Sequence, residues 1–223
     1  MSSQCTLRVH CRLLLPGGRC ELDTRKVRFG GLVGEIVLPG ARRQLARTPF
    51  TVGFQVLGTT LQLCTVHVYY GAARAVDTRR LAEIRGVAGA LAKSAQDALA
   101  WSSNVCLLGD FNIFRRTDVT YRAIVEAAFE VPAALQAIPG SNVPKNKLYD
   151  QMALLEGGAV QCTGKAGVLD YFESVYRDRD ERHYAGAMGD AYRRSARPEQ
   201  YYRTKWRTFQ MSDHLPMWMQ VAG

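Results

Sequence analysis

The sequence predicts an α/β fold of the α+β kind, and three stretches predict it. The first is Val105-Cys106-Leu107-Leu108-Gly109-Asp110-Phe111-Asn112-Ile113, an apolar run that stops at an acid, an aromatic and an amide, as a buried strand does where it ends in a loop. The second is the pair Phe50–Leu57 and Thr60–Tyr70 around Gly58-Thr59, both alternating at period two with β-branched and aromatic residues, which predicts an antiparallel hairpin. The third is Leu81, Ile84, Val87, Ala88, Leu91 and Ala95, spaced by three and four residues behind a cap at Asp77 or Thr78, which predicts a helix with one apolar stripe laid on a sheet.

Taken in order, residues 1–27 are Arg- and Cys-rich without a clear period and form an irregular segment. From Arg28 to Leu38, the apolar Val33, Ile36, Val37 and Leu38 suggest an irregular strand. The hairpin follows, with His67 near the end of its second strand, and then the helix, whose stripe assigns it to the scaffold. After the central strand, Thr117 or Asp118 caps a second helix that packs through Ile124, Val125 and Ala128 and ends between Phe129 and Pro132. Pro139-Gly140-Ser141-Asn142 is a turn-rich loop leading to a strand at Tyr149-Asp150. Residues 177–207 interleave eight Arg and one Lys with Tyr184, Tyr192, Tyr201, Tyr202 and Trp206. Such a segment grips phosphates and stacks on bases, or equally is a helix pair with solvated charges and an aromatic inner face.

Composition narrows the function classes. A chain of 223 residues with 47% hydrophobic content buries a sizeable core and fits one domain, spanning 1–223 with its recognisable part at 28–219. No stretch approaches the run of about 20 apolar residues that a membrane helix needs. The short Leu13-Leu14-Leu15 core is no signal peptide, so a cytoplasmic location is expected. The six cysteines contain no Cys-x-x-Cys, and a disulfide framework has little support. Cys5, His10, Cys11 and Cys20 match no structural zinc spacing. The net charge of +9, from 29 Lys and Arg against 20 Asp and Glu, suits a polyanionic partner such as nucleic acid.

On its own, Gly-Asp-x-Asn after a strand is an ordinary Asx-type turn. Its company is more specific. Leu63-Cys64-Thr65-Val66-His67-Val68 precedes it, Lys147-Leu148-Tyr149-Asp150-Gln151-Met152 follows, and Met211-Ser212-Asp213-His214-Leu215-Pro216 stands near the end. In this order the stretches resemble the endonuclease/exonuclease/phosphatase superfamily, metal-dependent phosphoesterases of deoxyribonuclease-I-like fold. The resemblance covers roughly Arg47 to Met219, including Arg47-Thr48-Pro49-Phe50, which is similar to the family's Arg-x-Pro segment.

The resemblance implies a two-sheet α/β sandwich with outer helices and a divalent cation, Mg²⁺ or Mn²⁺. It implies that His214 is the general base and Asp150 the acid that orients its ring, chemistry a His–carboxylate pair is suited to. Asp213, with Asp110, would bind the metal through hard carboxylate oxygens. Asp110 and Asn112 would orient the attacking water and hold the phosphate, His67 would donate to a phosphoryl or leaving oxygen, and Arg47 would brace the loop or the phosphate. Nucleic acid is the favoured substrate; lipid or inositol phosphates and a non-catalytic nucleic-acid-binding role are the alternatives.

The chain departs from the family pattern at its amino end. Complete members carry an Asn-bearing strand and a metal-binding Glu well before the Arg-x-Pro segment, whereas Glu21 and Glu35 are the only glutamates before Arg47 here. The expectation is an N-terminally incomplete domain with weak metal occupancy and impaired hydrolysis unless one of these glutamates substitutes.

Overall fold

The computed structural model describes residues 29–32, 44–56 and 59–223. Cys5, His10, Cys11, Cys20, Glu21 and Glu35, and the apolar Val33, Ile36, Val37 and Leu38, lie outside the described residues.

The protein is a two-sheet α/β sandwich with its helices outside. The larger sheet is built from β1 (Phe29–Leu32), β2 (Phe50–Val56), β3 (Thr59–His67), β4 (Val105–Ile113), β5 (Phe129–Glu130) and β6 (Leu148–Leu155), in the spatial order β1-β2-β3-β4-β6-β5. The hairpin forms as the alternation predicts, with Phe50 opposite Thr65 and Val56 opposite Thr59. β3 and β4 run parallel and every other pair is antiparallel. A parallel pair needs a crossover, and α1 (Thr78–Ala95) supplies it. The smaller sheet pairs β7 (Gln161–Val168) with β8 (Met217–Ala222).

β4 occupies the predicted residues, and all nine are buried. One hydrophobic cluster joins it to Leu61 and Leu63 of β3, Ile84 and Leu91 of α1, and Met217 and Met219 of β8, so both sheets share a core. α1 is capped by the Asp77 carboxylate, which accepts from the Arg80 amide at 3.0 Å. Its buried face also contains Arg80 and Glu83, which periodicity alone assigned to no packed position.

α2 (Val119–Glu126) differs from expectation on its packed side. Ile124 is buried, but Val125 and Ala128 are exposed, and Tyr121 and Ala123 take the inner positions. The helix is only eight residues long, and the chain leaves it through Ala128 at φ 62° to form β5 against β6. In residues 177–207 the aromatic inner face of the second reading is present: Tyr184, Tyr202 and Trp206, with Tyr176 just before them, make ring contacts with one another. Arg203 and Arg207 pair with Asp178, and Arg193 and Arg194 with Asp190. Among the described residues, Cys64 and Cys106 are buried and Cys162 is half-buried, and no helix is long and apolar enough to cross a membrane.

At Gly109 the neighbouring strand β3 comes close to the backbone. At φ 132°, a Cβ there would sit 2.1 Å from the Val66 carbonyl oxygen on the neighbouring strand. Gly109→Ala is therefore expected to cost more than about 3 kcal/mol, because backbone strain and an overlap with a backbone atom act together in a close-packed strand. Chemical denaturation checks this, and a loss under 1 kcal/mol, roughly the scale of an ordinary surface change, would show that the strand can shift to make room.

Candidate active site

Pairing register brings three site residues into one row. His67 at the end of β3 lies opposite Asp110 of β4, and Asp110 lies opposite Asp150 of β6. Partners directly opposite in a ladder project to the same face, so an imidazole and two carboxylates stand side by side. His67 Nε2 is 3.4 Å from Asp110 Oδ2. Beyond Asp110 the β4–β6 register shifts, and Asn112 adopts φ 54°, a conformation Asn tolerates better than most residues. The Asn112 amide N–H donates to Asp110 Oδ1 at 2.9 Å, and its side-chain amide donates to the Val68 carbonyl at 2.8 Å. The ordinary Asx turn is thus present, and it also ties the ends of β3 and β4 together at the site.

The fourth member comes from the loop before β8. His214 Nδ1 lies 2.8 Å from Asp150 Oδ2, the contact the resemblance implied. Ser141, read from sequence only as part of a turn, aligns the two partners: its hydroxyl accepts from the Asp150 amide at 3.0 Å and its carbonyl from the Leu215 amide at 2.6 Å. Asn142 forms a bridge with His214. The Tyr171 hydroxyl donates toward the carbonyls of Ser212 and His214, at 2.6 and 3.0 Å. Tyr149 stacks on the His214 ring, centroids 5.5 Å apart. The signal for Tyr149 was its adjacency to Asp150, which alone does not say where a ring points; for Ser141 the turn gave none.

Arg47 reaches the row only at its edge, with Nη1 3.5 Å from the His67 carbonyl. Asp213 is exposed and lies outside the cluster of Asp110, Asp150 and His214, whose ligand atoms lie within 4.8 Å of one another. It is still close enough for its charge to act on His214.

The electrostatics separate groups that stand side by side. Burial, reinforced by the Asp150 charge, lifts the Asp110 carboxyl from its ordinary 3.8 to about 6. Burial also opposes charge on His214, but the hydrogen bond and charge of Asp150, helped by Asp110 and Asp213, win and lift it to about 9. His67 moves the other way, below its ordinary value, through burial and the nearby positive charges of Arg47 and His214. Its contact with Asp110 is therefore that of a neutral imidazole with an acid. Two neighbouring carboxylates form a hard-oxygen donor set that fits Mg²⁺ or Mn²⁺, and a cation would relieve the repulsion that Asp150 exerts on the buried Asp110.

The chain matches no protein-family model and no curated protein. Among solved structures it is similar to a functionally unknown conserved protein from Enterococcus faecalis, at 16% identity over 83% of this chain and 59% of that chain, with a TM-score of 0.47. It is also similar to an endonuclease/exonuclease/phosphatase family protein from Leptotrichia buccalis, at 13% identity over 67% and 56% of the two chains, with a TM-score of 0.44. The human Nocturnin catalytic domain is similar at 14% identity, over 60% and 50%, with a TM-score of 0.41. The chain spans between half and three-fifths of the length of these proteins. The chemistry of the site follows from its own residues.

Two substitutions separate the charges by their pH dependence. Because folding raises the Asp110 carboxyl, its contribution to stability is fully present below 3.8 and is lost as pH rises through about 6. Asp110→Asn should therefore stabilise the cation-free protein above that range, by on the order of 1–2 kcal/mol, and have little effect below it. Folding also raises His214, so its pairing contributes fully below 6.5 and is lost as pH rises through about 9. Asp150→Asn should destabilise most on the acid side of that window and least on the alkaline side. Urea titrations across the pH range check both, and a pH-independent difference for either variant would contradict the stated charge states.

Proposed function

We propose that this protein is a phosphoesterase that hydrolyses phosphodiester bonds with the help of a divalent cation, Mg²⁺ or Mn²⁺, and that nucleic acid is its substrate. The observation that carries the reading is the His214–Asp150 pair at 2.8 Å clustered with Asp110, which in turn contacts His67 at 3.4 Å. Hydrolysis of a phosphodiester needs a base for water, compensation for phosphoryl charge and help for the departing oxygen. His214 is placed to take the proton, and Asp150 fixes its Nδ1 and stabilises the imidazolium. His67, held neutral, keeps a ring proton to donate to a phosphoryl or leaving oxygen. Asp110 and Asp150 would hold the cation, joined by Asp213 on the His214 loop, and Asn112 would line the phosphate. The cation supplies positive charge for the phosphoryl oxygens and for an attacking water.

At neutral pH the carboxylates around His214 keep it protonated. A base must be free of its proton, so positive charge entering the cluster is part of preparing it: it lowers the affinity of His214 for a proton while leaving the Asp150 hydrogen bond in place. The net charge of +9 favours a polyanion over a singly charged diester.

The test is turnover of bis(p-nitrophenyl) phosphate and of single-stranded oligonucleotides in excess Mn²⁺. Turnover is expected to fall by about 10²- to 10⁴-fold in His214→Ala. Mn²⁺ should raise the melting temperature of the wild type and have little effect on Asp110→Asn, because binding to the folded state alone adds stability. Turnover unaffected by His214→Ala, or no Mn²⁺ dependence in either measurement, would sink the reading.

A further inference from the structure

The Asp150 contact fixes one atom of the His214 ring and leaves the ring free to swing about that hydrogen bond. A second constraint comes from Tyr149, whose ring lies at 25° to the imidazole in a stacked arrangement. Tyr149 is itself held edge-on by Phe114, centroids 5.4 Å apart at 84°, and by Tyr70, centroids 6.3 Å apart at 84°. Burial and a hydrogen bond to Tyr70 keep its hydroxyl protonated, with the pKa pushed up to about 12.

Behind these rings stands Arg80, fully buried on α1, its guanidinium carbon 5.4 Å from the Phe114 centroid and 5.9 Å from that of Tyr70. It donates to the carbonyls of Tyr69, Tyr70, Ala72 and Arg74, so the loop that follows His67 is folded around one guanidinium. One turn away, the buried Glu83 carboxylate accepts from the Tyr69 amide at 2.9 Å and from the Ala46 amide at 3.0 Å, next to Arg47. A guanidinium and a carboxylate with no water around them are costly to bury unless fully partnered. On α1 that cost maintains a loop and two rings that lead to the histidine.

We propose that Tyr149, clamped by Tyr70 and Phe114 over the buried Arg80, is a positioning residue that fixes the ring plane of His214, so that the crossover helix acts on the active site through a stack of rings. Asp150 sets which nitrogen faces inward, and Tyr149 sets where the other one points. For its effect on turnover the proposal rests on the hydrolytic reading above; the ring geometry stands apart from it.

The test compares Tyr149→Phe, which keeps the ring, with Tyr149→Leu, which keeps bulk without it. With only four histidines in the chain, the His214 ring signals can be assigned by NMR. Wild type and Tyr149→Phe are expected to show a slowly exchanging, downfield Nδ1 proton and ring-current-shifted carbon-bound protons. Tyr149→Leu should lose the ring-current shift and exchange the Nδ1 proton with water. In turnover, Tyr149→Leu should lower kcat about ten- to a hundredfold with KM little changed, the pattern of a misoriented group, while Tyr149→Phe stays within about threefold of wild type. If Tyr149→Leu fails to fold, Tyr70→Leu decides, since Tyr70 is 40% exposed and its loss removes one side of the clamp; it should show the same signature in weaker form. A downfield Nδ1 proton and kcat that survive in the Leu variant would overturn the proposal. NMR signals that behave as stated in a protein without turnover would uphold it and reject the phosphoesterase reading.

Discussion

The site depends on a pairing register that forces two carboxylates to face each other. Asp110 and Asp150 are direct partners across β4 and β6, and neither can move away without breaking the ladder that runs back to Leu154. Like charges directly opposite on antiparallel strands are destabilising, and here one of them is buried as well. The fold offsets this with imidazoles brought from far apart in sequence: His214, whose proton is held by the carboxylates, from the loop that enters the second sheet, and the neutral His67 from the parallel neighbour. The sheet is held rigidly enough to carry the strain because β4 is buried throughout and Gly109 lets β3 approach without a side chain between them.

That arrangement explains why much of the site was legible in the sequence and where legibility ended. The apolar run of β4 gave its boundaries, since a fully buried strand leaves no polar interruptions until it must end. The order of the four motif stretches anticipated that His67, Asp110, Asn112, Asp150 and His214 would meet, and they do. Asp213, expected beside Asp110 as a metal ligand, is exposed at the edge of the cluster, near enough for its charge to act on His214.

Other features were out of reach for a definite reason. Counting apolar residues on α1 identifies the stripe of Ile84, Val87 and Leu91 but treats Arg80 and Glu83 as solvent-facing, because a polar residue is buried only where distant backbone supplies partners. On α2, Val125 fits a helical period but faces outward, because Tyr121, Ala123 and Ile124 take the buried side of a two-turn helix. In residues 177–207, basic and aromatic residues alternate too closely for sequence to say which set is inside. Packing decides it: Tyr202 is fully buried, and Trp206 and Tyr184 close over it.

The protonation states follow from the same geometry and show how binding and chemistry are coupled. Within one cluster, Asp110 holds a proton more tightly than usual, His214 much more tightly, and His67 less tightly. No single local environment would do this. Burial pushes all three toward their neutral forms, and only His214, which faces Asp150 directly and also feels Asp110 and Asp213, has enough negative charge around it to reverse the direction. Positive charge placed among the carboxylates would cancel that reversal, so Asp110 and His214 would both give up protons more readily. On the proposed reading, the proton taken from water would go to a histidine vacated by the same charge that compensates the phosphate, and the carboxylate pair, destabilising on its own, is what links the two.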